Sequence, residues 1–390
     1  MRQPHCTITP AVVRHTAQQA LHTALPWQPY GRRVSVATLL HVLLLVAALR
    51  ASLSALVRRC RFGFSHETAR QAVTANLPGL AALTAGLVEA LYRLGGRRWR
   101  KRRWDVALDL HYAPFYGDRT TPGILGGQKK AGSKYHYAYA TAVLVHRRHR
   151  YTVGLLALAK NAKPHEVVTA LLAQLDARGL RLRGVVLDAG FDSGETLLLL
   201  QARGLSYTVP LRKKGQGPNR RNACFLLPLG TITEVDWVTE TSRQRVRTQA
   251  VVRRRPKGKE VRVYAFGGWG PAEAARVRRR ARLAAMAYRR RFGIETSYRQ
   301  LNEAKGFTTK KDVGYRLLLV GLALLLRQVW VFLTWQVARD RRLRPKAWVA
   351  ELPLQRLLDW LAEDLRGRYP EAKTIPLGQP LVPLDGDVAA

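Results

Sequence analysis

Between Trp104 and Leu211 short apolar runs alternate with longer segments of helical period. DVALDLHY, YHYAYATAVLVH (Tyr135 to His146) and RYTVGLLALA (Arg150 to Ala159) read as three strands, the last two joined by the basic turn RRHR. PHEVVTALLAQLDARG (Pro164 to Gly179) predicts a helix, with Pro164 near its start and Gly179 at its C-terminal cap. GVVLDAG (Gly184 to Gly190) is short and continuously apolar, as a buried parallel strand is. SGETLLLLQARG (Ser193 to Gly204) is a second capped helix, and LSYTVPL a further strand. The order β, β, β, α, β, α, β predicts an α/β fold, a mixed sheet with helices on its faces.

The flanking segments follow other periods. Residues 1–103 read as helical: Leu39 to Leu56 is mostly apolar, and FSHETARQAVTANL (Phe64 to Leu77) offers Ser65 as an N-cap. This region either binds DNA or packs on the next domain, and its closing RRWRKRR is either a binding element or a solvated linker. Residues 104–210 form the first part of the α/β core. Residues 211–270 form a β-rich basic insertion, and 271–340 a helical second part of the core, with one long helical region from Pro271 to about Lys305. Residues 341–390 are an amphipathic helical tail with a loose end.

Two apolar runs raise the question of a membrane. Val34 to Leu49 is short for a span and contains His41. Leu317 to Trp335 is long enough but holds Arg327 and Gln328, and a central Arg costs about 2.5–3.5 kcal/mol in a bilayer. Both read as buried core helices, so no membrane partner is expected.

Composition narrows the function. The 390 residues include 66 Lys and Arg against 26 Asp and Glu, a formal net charge of +40. Such a surface releases condensed counterions from a polyanion, which makes nucleic acid the leading partner and an anionic membrane surface the rival. At 47% hydrophobic residues the chain has ample core and is no disordered tail. Three separated cysteines without a CxxC pair support neither zinc nor disulfides and fit a reducing compartment. No secretory signal is apparent, so a cytoplasmic, nucleoid-associated location is expected. There is no Walker loop and no GxGxxG fingerprint.

With so few acids, those placed on strands stand out. Asp109 sits at or near the end of the first strand, and Asp188 ends VVLD, the fourth strand. An Asp in an apolar strand is costly unless paired or bound to metal. Alone, Asp109 has many Arg partners available and Asp188 can cap the next helix. Tyr288, Arg291 and Glu295 are spaced by three and four and share a helix face, with Asn302 seven residues further. Alone, that helix is an ordinary Arg–Glu pair beside a core Tyr.

The ordered set resembles an RNase H-like DDE transposase. YRRRFGIETSYRQLNEAK is similar to the Tyr–Arg–Glu–Lys signature of the insertion-sequence-four superfamily, in which gaps of two, three and six residues separate the four. The last position departs: it is Asn302, with Lys305 one turn further on and Arg299 one turn before. The resemblance implies an RNase H-like (retroviral-integrase) mixed sheet with Asp109, Asp188 and Glu295 as catalytic, metal-binding carboxylates. They would hold two Mg²⁺ about 3.5–4 Å apart, with Mn²⁺ able to substitute. The partners implied are double-stranded DNA, both terminal inverted repeats and target, and a second copy of the chain in a homodimer. Water would first cut at the element's end, and the freed 3′-OH would then join target DNA.

Further contacts are expected, some from the resemblance and some from the residues themselves. Arg291 and Tyr288 would touch DNA near the cut, with Lys305 or Arg299 standing in for the missing Lys. Lys129, Lys130, Lys134, Arg253, Arg254 and Arg255 read as phosphate contacts. Trp237 and Trp269 either hold a splayed base or are core residues of the insertion. Asp192 and Glu303 are nearby acids without a catalytic role, Asp192 being expected to cap a helix. His111, on the face of Asp109, is expected to be structural. The alternatives are an RNase H-like nuclease without strand transfer, a non-catalytic DNA-binding relative, and a basic membrane protein.

Overall fold

The computed structural model describes residues 7–372 apart from 147–148, 215–219, 255–260, 269–273, 292 and 341–350. Its centre is a nine-stranded sheet. The strands are β1 (Trp104–Phe115), β2 (Leu125–Lys130), β3 (Ser133–His146), β4 (His149–Ala157), β5 (Leu182–Leu187), β6 (Ser206–Pro210), β7 (Ile232–Val238), β8 (Arg245–Arg254) and β9 (Val261–Gly267). They lie in the order β2-β3-β1-β5-β6-β9-β8-β7, with β4 also beside β3. β3 runs antiparallel to both β1 and β4, whereas β5 and β6 run parallel to β1. The strands of 211–270 build no sheet of their own. β9 pairs antiparallel with β6 and carries β8 and β7 outward on the same sheet.

Two strand expectations need correction. β2 is additional, because LGGQKK is too rich in glycine to show a strand period, and so Asp188 follows the fifth strand rather than the fourth. Asp109 is not near the end of β1 but in its middle, since the strand continues through Pro114 to Phe115. Past Leu108, β1 pairs only with β3, and an edge tolerates proline's missing N–H.

Helices cover both faces. α6 (Pro164–Asp176) and α7 (Gly194–Ala202) connect β4, β5 and β6, and their apolar residues pack with Val106 and Leu108 of β1. α6 ends as expected at Gly179, which takes φ +65° while its N–H donates to the Asp176 carbonyl at 2.8 Å. The other face, with Ala107, Val143, Val186, Tyr264 and Phe266, is covered by α9 (Ala274–Arg291) through Ala281, Ala284 and Tyr288. Next comes α10 (Gly293–Glu303), so the expected single helix is two described elements on either side of residue 292. A short helix, α8 (Arg220–Ala223), follows β6.

The N-terminal residues form helices α1 (Pro10–Ala24), α2 (Val36–Ala48), α3 (Leu53–Arg59), α4 (His66–Asn76) and α5 (Leu80–Arg93). Ser65 caps α4 as expected, its Oγ accepting from Thr68 N–H at 3.0 Å. In the basic run after α5, Trp99 is fully buried and donates Nε1–H to the Tyr92 carbonyl at 2.9 Å, anchoring that run to the fold. α11 (Val313–Asp340) contains a stretch long and apolar enough to cross a membrane, yet 94% of its apolar window is buried inside the protein. Arg327, in its middle, is held by the Gln300 side chain and the Arg150 carbonyl, each at 3.1 Å. Gln328 bonds Thr152 and Leu91. The last described helix, α12 (Leu354–Arg368), returns to pack on α1 and α2.

Candidate active site

The parallel register of β1 and β5 matches Ala107 with Val186 and Leu108 with Leu187. One residue beyond this last pair stand Asp109 and Asp188, on neighbouring strand segments about 4.8 Å apart. Asp188 N–H still donates to the Leu108 carbonyl at 3.2 Å, which holds the two together at the carboxyl edge of the parallel strands. In α/β sheets that edge is where ligands bind. Because side chains alternate, Asp109 follows Ala107 and Asp188 follows Val186 on the face that α9 covers. Asp109 is 4% exposed, with Oδ1 accepting from Leu110 N–H at 3.0 Å, while Asp188 is half-buried.

The helix bearing Glu295 is fixed over the same face. Thr141, the cross-strand partner of Asp109, shares a hydrogen bond of 2.7 Å with the hydroxyl of Tyr298. The Tyr298 ring also lies 4.8 Å from that of His111, two residues beyond Asp109. Glu295 stands three residues before Tyr298 on α10, about one turn earlier along the helix. The Glu295 and Arg291 side chains lie outside the described residues.

Two residues missed by sequence reasoning complete this edge. The Tyr112 hydroxyl is pushed above its ordinary value by burial, then by Asp188 and, more weakly, by Asp109, while Arg212 opposes the shift. The Tyr112 hydroxyl therefore lies within electrostatic reach of both aspartates and of Arg212. The one available signal is that Arg212 follows the end of β6, at the same sheet edge as Asp188.

Two expectations are overturned. Asp192 is no helix cap, since Ser193 takes that place and accepts from Thr196 N–H at 3.1 Å. Asp192 Oδ2 instead accepts from Arg212 N–H at 2.6 Å and forms a fully buried ion pair with Arg221. Tyr288, expected to touch DNA, is a core residue at 2% exposure, with its ring 4.9 Å from that of Tyr264. It closes the apolar stripe Ala281, Ala284, Tyr288 that seats α9 on the sheet.

The other expected contacts are scattered. Lys129 on β2, Lys134 on β3, Arg254 on β8 and Arg299 on α10 are exposed, and Arg253 is half-buried. Arg255 and Trp269, and the side chain of Lys130, lie outside the described residues. Trp237 is half-buried under the Arg221 guanidinium, 4.6 Å from its ring centre. It lines a cavity of about 560 Å³ with Gly194, Lys214, Arg221 and Arg245. A Cβ on Gly194 would fall 2.6 Å from Thr239 Cγ2 and 3.1 Å from Trp237 Nε1, so glycine lets α7 start directly beneath this wall.

Among the described residues, no three His, Cys, Asp or Glu side chains are grouped to hold a metal ion. The described pair, Asp109 and Asp188, offers the hard oxygen donors that Mg²⁺ and Mn²⁺ take.

A sheet ordered β4-β3-β1-β5-β6, with two aspartates at its carboxyl edge and helices over both faces, defines an RNase H-like fold. The chain belongs to the transposase DDE-domain family, whose model matches residues 114–324, and it is a metal-dependent DDE transposase. That match spans Asp188 and Glu295 and begins just after Asp109. Among solved structures, the chain is similar in fold to a piggyBac transposase synaptic complex with hairpin DNA. The TM-score is 0.56 and the identity 11%, over 96% of this chain and 84% of that one. No curated protein matches the chain in sequence.

Proposed function

We propose that the chain is a transposase of the insertion-sequence-four superfamily, cutting DNA at its element's ends and joining the freed 3′ ends to target DNA. Asp109, Asp188 and Glu295 would hold two Mg²⁺, or Mn²⁺ in their place. When bound, the ions would activate the attacking oxygen and neutralise charge on the leaving one. The observation that carries this reading is the pair Asp109 and Asp188, side by side beneath the helix that bears Glu295.

The chain's own groups bind and orient the substrate. Arg212, just past the end of β6 at the same sheet edge, meets the negative charge of the scissile phosphate, and the Tyr112 hydroxyl donates a hydrogen bond to it. Arg291 takes an adjacent phosphate, with Arg299 in the role of the signature Lys. Lys129, Lys130, Lys134, Arg253, Arg254 and Arg255 hold the duplex by its backbone without reading sequence. Trp237 offers a base its ring from the wall of its cavity. Two ends must be brought together, so the active form is a homodimer on DNA.

The test is a Mg²⁺-dependent cleavage and strand-transfer assay on the DNA that flanks the gene. Cutting followed by joining supports the proposal. Cutting that never leads to joining marks a nuclease, and binding without chemistry marks a DNA-binding relative.

A further inference from the structure

The segment 304–312, between α10 and α11, runs through a seam between the N-terminal helices and the catalytic sheet. Phe307 N–H donates to the Ala51 carbonyl at 3.1 Å. A Cβ on Gly306 would fall 2.5 Å from Val46 Cγ1, so the segment lies tightly against the end of α2. Arg50 takes the left-handed φ of 51° in the turn after α2, and its guanidinium stands 5.5 Å from the centre of the Phe307 ring. Across the seam, Arg316 in the first turn of α11 donates Nε–H to the Lys310 carbonyl at 2.7 Å. It also stacks over Tyr137 at 4.4 Å.

Lys305 is half-buried in this segment, next to Gly306, which abuts the turn of Arg50, while Arg316 bonds the Thr308 and Lys310 carbonyls further along it. Burial holds its ammonium below the ordinary lysine range, and Arg316 and Arg50 push it the same way. Among the described residues, no carboxylate forms an ion pair with Arg50, Lys305 or Arg316. Three cations converge from three elements, and the central one is withdrawn from water. In the free protein this arrangement is unfavourable, and an arriving anion reverses its sign.

We propose that Arg50, Lys305 and Arg316 form a cradle for a DNA backbone phosphate distant from the scissile one. This inference rests on the transposase reading above. Arg316 also lies over Phe115, at 5.6 Å. Phe115 is on the strand of Asp109, six residues further along, or about 20 Å. The cradle therefore stands on the order of 20 Å from the aspartates, away from the cut. Because Arg50 belongs to the N-terminal helices, the same phosphate would tie that part of the chain to the catalytic sheet.

The cradle is tested with Lys305→Met and Arg50→Met, which keep the aliphatic stems. Arg316 is left in place because it also holds the loop. Binding of an element-end duplex is measured across a salt series, and melting of the free proteins alongside. Each variant is expected to flatten the slope of log K against log salt by about 0.9, the loss of one phosphate contact. Free Lys305→Met should melt no lower than wild type. Unchanged slopes, or a lower melting point for Lys305→Met with its slope intact, overturn the proposal. So does an equal rise in wild-type melting with inorganic phosphate alone, coupled to unchanged slopes. If wild type cleaves while the slopes stay unchanged, only the cradle fails. If wild type shows no metal-dependent chemistry while the slopes flatten, only the transposase reading fails.

Discussion

Tyr298 and Thr141 share a hydrogen bond of 2.7 Å between α10 and β3. Thr141 is 1% exposed and lies directly across from Asp109 in the sheet. One side-chain bond therefore ties the helix of the third expected carboxylate to the strand pair that carries the first. Tyr298→Phe removes only the hydroxyl, so the fold should survive. Misplacement on this scale lowers rates by up to about a hundredfold, so single-turnover cleavage should fall between about tenfold and a hundredfold. DNA affinity should stay unchanged. Wild-type cleavage by this variant would show that the bond does not place α10.

Asp192 and Arg221 form the buried ion pair beside Trp237, with side-chain exposures of 0% and 5%. Asp192→Ala leaves a buried guanidinium uncompensated, a loss of about 3–5 kcal/mol. The double replacement Asp192→Leu with Arg221→Met should recover much of that, because paired apolar substitutes are often close to neutral. The denaturation midpoints of wild type, single and double variants check this. Loss of cleavage by Asp192→Ala at an unchanged midpoint would make Asp192 catalytic instead.

His41 predicts a pH dependence of stability. Its ring bonds Tyr369 at 2.9 Å and Gln18 at 3.1 Å, tying α2 to the C-terminal helix and to α1. Burial first, then Arg14 and Arg368, lower its pKa from 6.5 to about 4, with Asp364 opposing. The fold therefore favours the neutral ring. That stabilisation is complete above pH 6.5 and is lost as the pH falls towards about 4. The melting temperature of wild type should drop more steeply over that window than that of His41→Gln. Parallel curves would contradict the assignment.

Much of this architecture is legible in short-range pattern. The strands carrying Asp109 and Asp188, the cap at Ser65 and the turn at Gly179 each depend on neighbours within a few residues. What escapes depends on distance along the chain. The partner of Asp192 is 29 residues away, and no local period points to Arg221. The burial of Tyr288 depends on Tyr264, a residue of the insertion, so its helix alone could not separate a core ring from an exposed one. Pro114 and the glycines of β2 disguise strand as turn, because only the edge position of the paired segments makes them tolerable. Arg212 carries no motif and becomes visible only once β6 is placed beside β5.

The central claim, that the carboxylates do chemistry rather than hold the fold, is tested most directly on Glu295. Cleavage of end DNA in Mg²⁺ and affinity for the same DNA would be measured together for wild type and Glu295→Gln. The account predicts cleavage lost by at least about a thousandfold with affinity nearly intact, as expected when transition-state stabilisation alone is removed. Binding lost together with cleavage, or cleavage retained, would contradict it.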